Sequence, residues 1–592
     1  MRRDNIMKNI LVDQNVYFVI LLFTTLPFLH TIFFSFSPLD DAVLILGRLE
    51  WLQDYKNIYS IFTEPLFAGI GNYYYRPILI LTFMIDAITG GGSPVSFHIS
   101  NIVFHTIASL LVFEIFKKFE LSNLVSILAA LIFILHPVNI SAISWIPGRN
   151  DTLLTIFILT SFLQWIKYLK SGNNKYLIFH LISYLIALLT KENAIVLPII
   201  SAIYYYFYSQ KRSKSQIIRI SIFWSFITIS WLITRSAILI NPQSLDIQST
   251  SQILLDLIII FCLSVGKLIF PINQAIAPNL LDINPFYPIL LTFTFGLVLW
   301  IFGLRNKRLA LFGCFWALGF ALLPELWVSL FNIGYSYEHR LYLPLIGFII
   351  FMSQVKIPSK FSQSTNKLIF MAIIIIIAFG IKSISRSFAY RNYKNFSISL
   401  VEESPSMPFA HKFRGDVLSH YQDFTGAELC YNRSLEMNPQ QIEVYFNRGN
   451  MYQMSGKDSL AMNDYYKTTE IDSLYHPGYF SLGTISAKTK KHNDAIRFLT
   501  IAINISDTDS RYFNERGFQY MKLNKFQHAL ADFSQAILMD PKYITAYQNR
   551  SVCNYFMGNF GRSLFDLQEV EILGGDIELS LLDSLKIKLQ IR

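Results

Sequence analysis

The chain has 592 residues, 53% of them hydrophobic and only 15% charged, with a mean hydropathy of +0.39. A soluble protein carries roughly a quarter charged residues, so a wholly soluble chain is excluded. The net charge of +10 comes from 50 Lys and Arg against 40 Asp and Glu. The basic residues cluster between apolar runs, which fits membrane orientation by positive loops and not a nucleic-acid partner.

A helix crossing the hydrocarbon core needs about 20 apolar residues. By that measure the sequence predicts about eleven spans, at 15–36, 96–116, 123–139, 152–169, 176–190, 194–209, 217–237, 286–304, 308–325, 341–354 and 367–386. The basic start "MRRDNIMK" precedes a run too long for a signal peptide, so the first span is read as uncleaved. Loops such as "KKFELSN", "SQKRSKSQ" and "RNKR" read as cytoplasmic. The segment 253–270 is also apolar enough to span, but a full crossing would put "RNKR" outside. It is therefore expected as a re-entrant or interfacial helix. The four cysteines, Cys262, Cys314, Cys430 and Cys553, show no metal, redox or disulfide spacing.

With the N-terminus inside, most polar loop motifs fall on the external face. They are Asp40 and Asp41 in "FSFSPLDDAVLI", Arg76 in "YYYRP", Arg149 and Asp151 in "HPVNISAISWIPGRND", Lys191 and Glu192 in "KEN", and His339 and Arg340 in "SYEHRLYLP". Adjacent carboxylates repel each other and resist burial, so the Asp pair is either a solvated helix-end mark, a metal pair or a catalytic group in a wet cavity. Arg76, Arg149, Lys191 and Arg340 place cations on the same face, where arginine clamps phosphate bidentately. Some of these motifs have a plainer reading: Arg76 snorkels before Pro77, Asp151 satisfies backbone at a helix end, and Lys191–Glu192 is an internal ion pair. His98 and His105, seven apart on one helix, read as packing or lipid-interface residues. No zinc spacing or phosphate-binding glycine loop occurs, so no cofactor is implied, and a divalent metal at the Asp pair stays open.

After about residue 390 the pattern changes. Gly415, Gly449, Gly483 and Gly517 recur every 34 residues, and so do Ala427, Ala461, Ala495 and Ala529; Ser551 and Ser563 continue the two series. Small residues at two fixed positions let paired helices approach closely, with Tyr445, Tyr479, Phe513 and Tyr547 filling the space between them. These are tetratricopeptide (TPR) repeats, about five over 404–576. The expected layout is a membrane domain at 1–390, a linker at 391–403 and a repeat domain at 404–592 ending in a capping helix.

"YYYRPILILTF", "HPVNISAISWIPGRNDTLL", "LLTKENAI" and "EHRLYLPLIGF", followed by 34-residue repeats, resemble the transmembrane and tetratricopeptide repeat-containing (TMTC) family of GT-C-type glycosyltransferases. The resemblance covers nearly the whole chain. It implies an all-α fold, a polytopic GT-C-like bundle followed by a TPR solenoid. It also implies transfer of a sugar, mannose in the family, from a polyprenyl-phosphate donor to Ser or Thr of protein acceptors. The acidic pair of the family's first external loop falls on Asp40 and Asp41, with Asp40 as base by the family's order. The first external loop, 37–75, is short and matches poorly just before the pair. Arg76, Arg149, Asp151, Lys191, Glu192, His339 and Arg340 are then the substrate-binding candidates. The expected partners are the lipid-linked donor, protein acceptors in the TPR groove and membrane lipids, with no nucleic acid. The expected setting is a bacterial inner membrane with the repeats in the periplasm, or alternatively the endoplasmic reticulum with the repeats in the lumen. A non-catalytic, membrane-anchored TPR scaffold is the rival expectation.

Overall fold

A computed structural model describes residues 13–37, 40–67, 74–209, 213–239, 250–271, 274–276, 282, 286–330, 338–356 and 365–589. Among them every regular element is a helix. The chain divides into two compact units, Met1–Ser406 and Met407–Arg592.

The first unit is a bundle of apolar helices. Among the described residues, five are long and apolar enough to cross a membrane: Asn15–Phe33, Pro94–Lys118, Ile146–Ser171, Lys214–Ile238 and Lys367–Tyr390. A sixth is broken, because Asn123–Leu135 and Pro137–Ser144 meet at 50°. The bend is built from the sequence: Pro137 lacks an N–H, and the His136 ring caps the new turn by accepting from Val138 N–H at 3.3 Å. Shorter apolar helices, among them Pro77–Thr89 and Asn174–Thr190, complete the set.

Along Lys214–Ile238 the side chains of Ile218, Ile222, Phe226, Ile229 and Ile233 are exposed in one stripe. Water would penalise such a stripe, whereas lipid tails solvate it. The inner core is aromatic. Phe162 stacks on Phe312 at 5.7 Å and meets Trp316 edge-on at 5.3 Å, and Trp165 is fully buried beside Trp224. This is an integral membrane bundle.

The segment expected as a re-entrant or interfacial helix is one unbroken helix, Thr250–Ile269, of 20 residues, the form an interfacial helix takes. Two details depart from the expected layout. Pro77–Thr89, not counted among the spans, is a further apolar helix. Residues 391–403, expected as a linker, hold the helix Tyr393–Glu403 with Phe396 and Leu400 buried; Arg386 forms a bidentate ion pair with Glu403.

The second unit is a TPR solenoid. Five helix pairs run from Pro408–His420 with Phe424–Met437 to Ile544–Phe556 with Phe560–Ile572, and the helix Leu579–Leu589 follows. The 34-residue glycine series has a direct cause. A Cβ on Gly415 or Gly449 would lie 2.7 Å from the ring of Tyr431 or Tyr465, and on Gly517 2.9 Å from that of Phe533. The ring pressed on each of these three glycines comes from the second helix of the pair, and Leu499 takes that place against Gly483.

A second series went unread in the sequence. Arg448, Arg516 and Arg550 form bidentate pairs with Asp464, Asp532 and Asp566, each 16 residues on. In the third repeat the same positions hold Leu482 and Phe498, both buried. One site thus accepts either a paired charge or an apolar pair.

Candidate active site

The apolar first segment ends at Phe34, whose backbone is extended, and a short helix, Asp40–Leu44, begins with the acidic pair. The approach is anchored from far along the chain. Ser35 donates both its N–H and its hydroxyl to the Arg391 carbonyl, each at 3.1 Å, and the His30 ring meets the Ser387 hydroxyl at 2.7 Å.

Asp41 is fully buried. Its Oδ2 accepts the Ser37 N–H at 2.7 Å and the Ser37 hydroxyl at 3.0 Å. Its Oδ1 has no hydrogen-bond partner among the described residues. Burial pushes this carboxyl up to about 8, against the opposing hydrogen bonds from Ser37. Asp40 is half-buried; burial lifts it to about 6, and Arg76 is the cation that holds it from going higher. The two carboxyls are thus unlike. One is sealed and supported, and the other is reachable and ionises near neutrality.

Arg76 stands just before the helix Pro77–Thr89, with Pro77 in its first turn. Its guanidinium donates to both Glu192 oxygens, from Nη2 at 2.6 Å and from Nε at 3.2 Å, and lies 4.3 Å from the centre of the Tyr74 ring. Burial opposes charge on Glu192, but the Arg76 fork and the neighbouring Lys191 hold it down at about 2. Lys191 turns the other way and donates to Asp151 Oδ1 at 2.7 Å. The His339 ring lies 3.9 Å from the second Asp151 oxygen and 5.7 Å from the ring of Trp145. The charges of Lys191, Arg340 and Arg76 all bear on His339.

The structure therefore gathers Asp40, Arg76, Lys191, Glu192, Asp151, His339 and Arg340 into one charged cluster, with Asp41 behind it. The pairing differs from the sequence reading. Lys191 and Glu192 are not each other's partners; one holds Asp151 and the other Arg76, because adjacent side chains at the helix junction point to opposite neighbours.

Arg149 is a correction. It was expected to bind substrate, but it is fully buried. It donates to Asp86 at 2.5 Å, Asn101 at 2.7 Å and the Phe97 carbonyl at 2.6 Å, with Thr82 at 3.3 Å. The Phe83 ring centre is 5.0 Å away. With its fork spent on protein groups, Arg149 is a strut under the Asp pair. Gly148 permits the tight turn before it, since a Cβ there would lie 2.1 Å from the Ser141 carbonyl oxygen.

His98 and His105 are interior, at 1% and 0% exposure, which rules out the lipid interface; His105 Nδ1 meets the Tyr342 hydroxyl at 2.7 Å. The residues sequence reasoning missed are Asp86, Asn101 and Ser37. Asp86 alone carried a signal, as the one acid in the apolar run "PILILTFMIDAIT".

Residues 78–240 match the family model described as dolichyl-phosphate-mannose-protein mannosyltransferase. The human protein O-mannosyl-transferase TMTC3 is 23% identical over 548 residues, 81% of this chain and 59% of that protein. The human protein O-mannosyl-transferase TMTC4 is 35% identical over 115 residues, 17% of this chain and 16% of that protein. Among solved structures, YrrB, a TPR protein with an unusual peptide-binding site, covers 32% of this chain and 97% of its own at 19% identity and a TM-score of 0.29. The chain thus spans about three-fifths of the length of TMTC3.

Proposed function

We propose that this TMTC-like membrane protein is a GT-C-type glycosyltransferase that moves a sugar, mannose by analogy with its relatives, from a polyprenyl phosphate to Ser or Thr of protein acceptors. The observation that carries the reading is the placing of a reachable carboxyl, Asp40, beside a phosphate-type cation, Arg76, in one charged cluster. Arg76, Lys191 and Arg340 share the cluster with Glu192, Asp151 and the ionisable Asp40, and once Asp40 takes up the acceptor proton three cations stand against two anions. A phosphodiester donor carries one negative charge, which fits the remainder.

The step balances on these groups. Asp40 accepts the proton of the acceptor hydroxyl as the hydroxyl oxygen bonds to the sugar's anomeric carbon. The bond from that carbon to the phosphate oxygen breaks, and its electron pair stays on the phosphate. Arg76, Lys191 and Arg340 hold the charge that develops there. A base near 6 is largely ionised at neutral pH yet basic enough to take the proton. Asp41, tied to Ser37, orients its neighbour. The lipid tail of the donor accounts for a site built at a membrane surface, and the TPR unit supplies a groove for the acceptor chain. We place the site and the repeats in the periplasm of a bacterial inner membrane.

Membranes carrying the full chain, given labelled polyprenyl-phosphate sugars and a protein acceptor, test this. Transfer is expected from the wild type and loss of at least a hundredfold from Asp40→Asn, in line with the ~100- to 10,000-fold worth of a general base. Transfer at the wild-type rate by the Asp40→Asn, Asp41→Asn double variant sinks the reading and leaves the membrane scaffold ahead.

A further inference from the structure

The segment that follows the last span runs against the turn that carries the Asp pair. The Arg391 carbonyl takes both Ser35 donors at 3.1 Å, and Ser37, two residues on from Ser35, holds Asp41. The segment is also fixed from behind. Phe388 stacks on His30 at 5.0 Å, and its carbonyl accepts the Arg391 N–H at 3.1 Å and the Asn395 amide at 3.2 Å. Asn392 caps the helix Tyr393–Glu403 by accepting the Asn395 N–H at 2.9 Å. These contacts hold residues 391–394 near the Asp pair without using the side chains of Arg391, Tyr393 or Lys394.

Those three side chains are open to a ligand. Arg391 and Lys394 are exposed, and Tyr393 is half-buried. Among the described residues neither cation has an ion pair, and the Tyr393 hydroxyl has no hydrogen-bond partner. Burial and the Asp41 carboxyl both raise the Tyr393 phenol, so the ring stands within range of that acid's charge. No acid occurs from Ser387 to Val401. Positive charge at the outer end of a span runs against the usual loop bias, and two unpaired cations there need a reason other than topology.

The proposed reaction has one phosphate, and Arg76, Lys191 and Arg340 already answer it. What remains to be held beside Asp40 is the acceptor chain. A carboxylate on that chain would pair with an exposed cation, and a phenol can donate to or accept from its backbone. Resting on the proposed transfer at Asp40, we infer that residues 391–394 bind the acceptor, and that Arg391 and Lys394 select a Ser or Thr flanked by Asp or Glu. Tyr393 then touches the stretch of acceptor between the reacting hydroxyl and those acids. An extended chain advances ~3.3 Å per residue, and Arg391 is tied to Ser35, close to Ser37 and Asp41. The flanking acids therefore belong roughly two to four residues from the hydroxyl that reacts.

The test uses the full chain in neutral detergent, a polyprenyl-phosphate mannose donor and single-serine peptides flanked on both sides by Glu, by Gln or by Lys. The wild type should favour the Glu peptide over the Gln peptide by about fivefold in kcat/KM, acting through KM, as two exposed ion pairs would give. It should use the Lys peptide least. The double variant Arg391→Gln, Lys394→Gln keeps the Arg391 carbonyl for Ser35 and should bring the Glu and Gln peptides within about twofold of each other. Tyr393→Phe should raise KM about threefold for every peptide and keep their order. Equal use of the Glu and Gln peptides by the wild type overturns the inference. So does a double variant that keeps the wild-type ratio, or an unchanged KM in Tyr393→Phe. Loss of the preference when phosphatidylglycerol is added would assign the cations to lipid headgroups and overturns it too. Transfer by the wild type to none of the peptides overturns the transferase reading itself, and the acceptor assignment with it.

Discussion

Replacing Asp41 with asparagine gives a stability signature with a definite sign. Burial carries the Asp41 carboxyl from an ordinary value of 3.8 to about 8 in the folded chain. A carboxyl whose folded value is raised favours folding fully below its ordinary value, and that contribution is lost as pH rises through the folded value. Between those limits the loss is about 1.4 kcal/mol per pH unit, or on the order of 2.5 kcal/mol from about pH 5 to about pH 7. Asp41→Asn keeps an oxygen for the Ser37 N–H and hydroxyl but has no charge to desolvate. The variant should therefore gain on the wild type by that amount across the interval. Glu192, held at about 2, contributes stability above its ordinary value of 4.5 and loses it only as pH falls through about 2, so its effect lies outside the interval. The assay is unfolding of the full chain in detergent, wild type against variant, at several pH values, with the difference plotted. A difference that stays flat from about pH 5 to about pH 7 refutes the reasoning, because it would mean that Asp41 is already ionised and solvated in the folded protein.

Arg76→Lys keeps the charge but not the two-pronged contact with Glu192, and should weaken polyprenyl-phosphate binding about tenfold, or roughly 1.4 kcal/mol; equilibrium binding of the undecorated lipid reads this directly. In the repeats, Arg516→Leu alone strands Asp532 and should destabilise the solenoid by up to about 3 kcal/mol. The double change Arg516→Leu, Asp532→Phe, copying Leu482 and Phe498, should recover most of that loss in denaturant unfolding. A topology reporter fused after Pro405 should read external and one inserted near Lys214 cytoplasmic; a cytoplasmic result at Pro405 means that Thr250–Ile269 crosses and that the repeats lie opposite the Asp pair.

What could be read from the sequence divides along a physical line. The solenoid was legible because its period is local, so that a glycine and the ring that presses on it lie 16 residues apart. The membrane helices were legible as apolar runs, but not their breaks. The bend at His136–Pro137 needs one imidazole to cap the next turn, and mean hydropathy is blind to that. The residue types of the site were legible too, since charges beside apolar runs are costly and so informative. Their pairing was not, because Arg76 and Glu192 are 116 positions apart and Asp86 and Arg149 are 63 apart.

Arg149 shows where the inference from cost to function needs a second condition. A cation in an apolar setting marks either a ligand site or a buried pair, and the sequence cue that separates them is a complementary acid in another apolar helix. "PILILTFMIDAIT" holds such an acid in Asp86, and Asp86 takes Arg149 out of the ligand set. Arg76 also has a paired acid, Glu192, yet its guanidinium lines an open cleft and faces Asp40. Arg149 is sealed on every side. Pairing alone therefore does not decide a role in this bundle; on the proposed reading the phosphate meets Arg76, the paired cation that also lines a cleft.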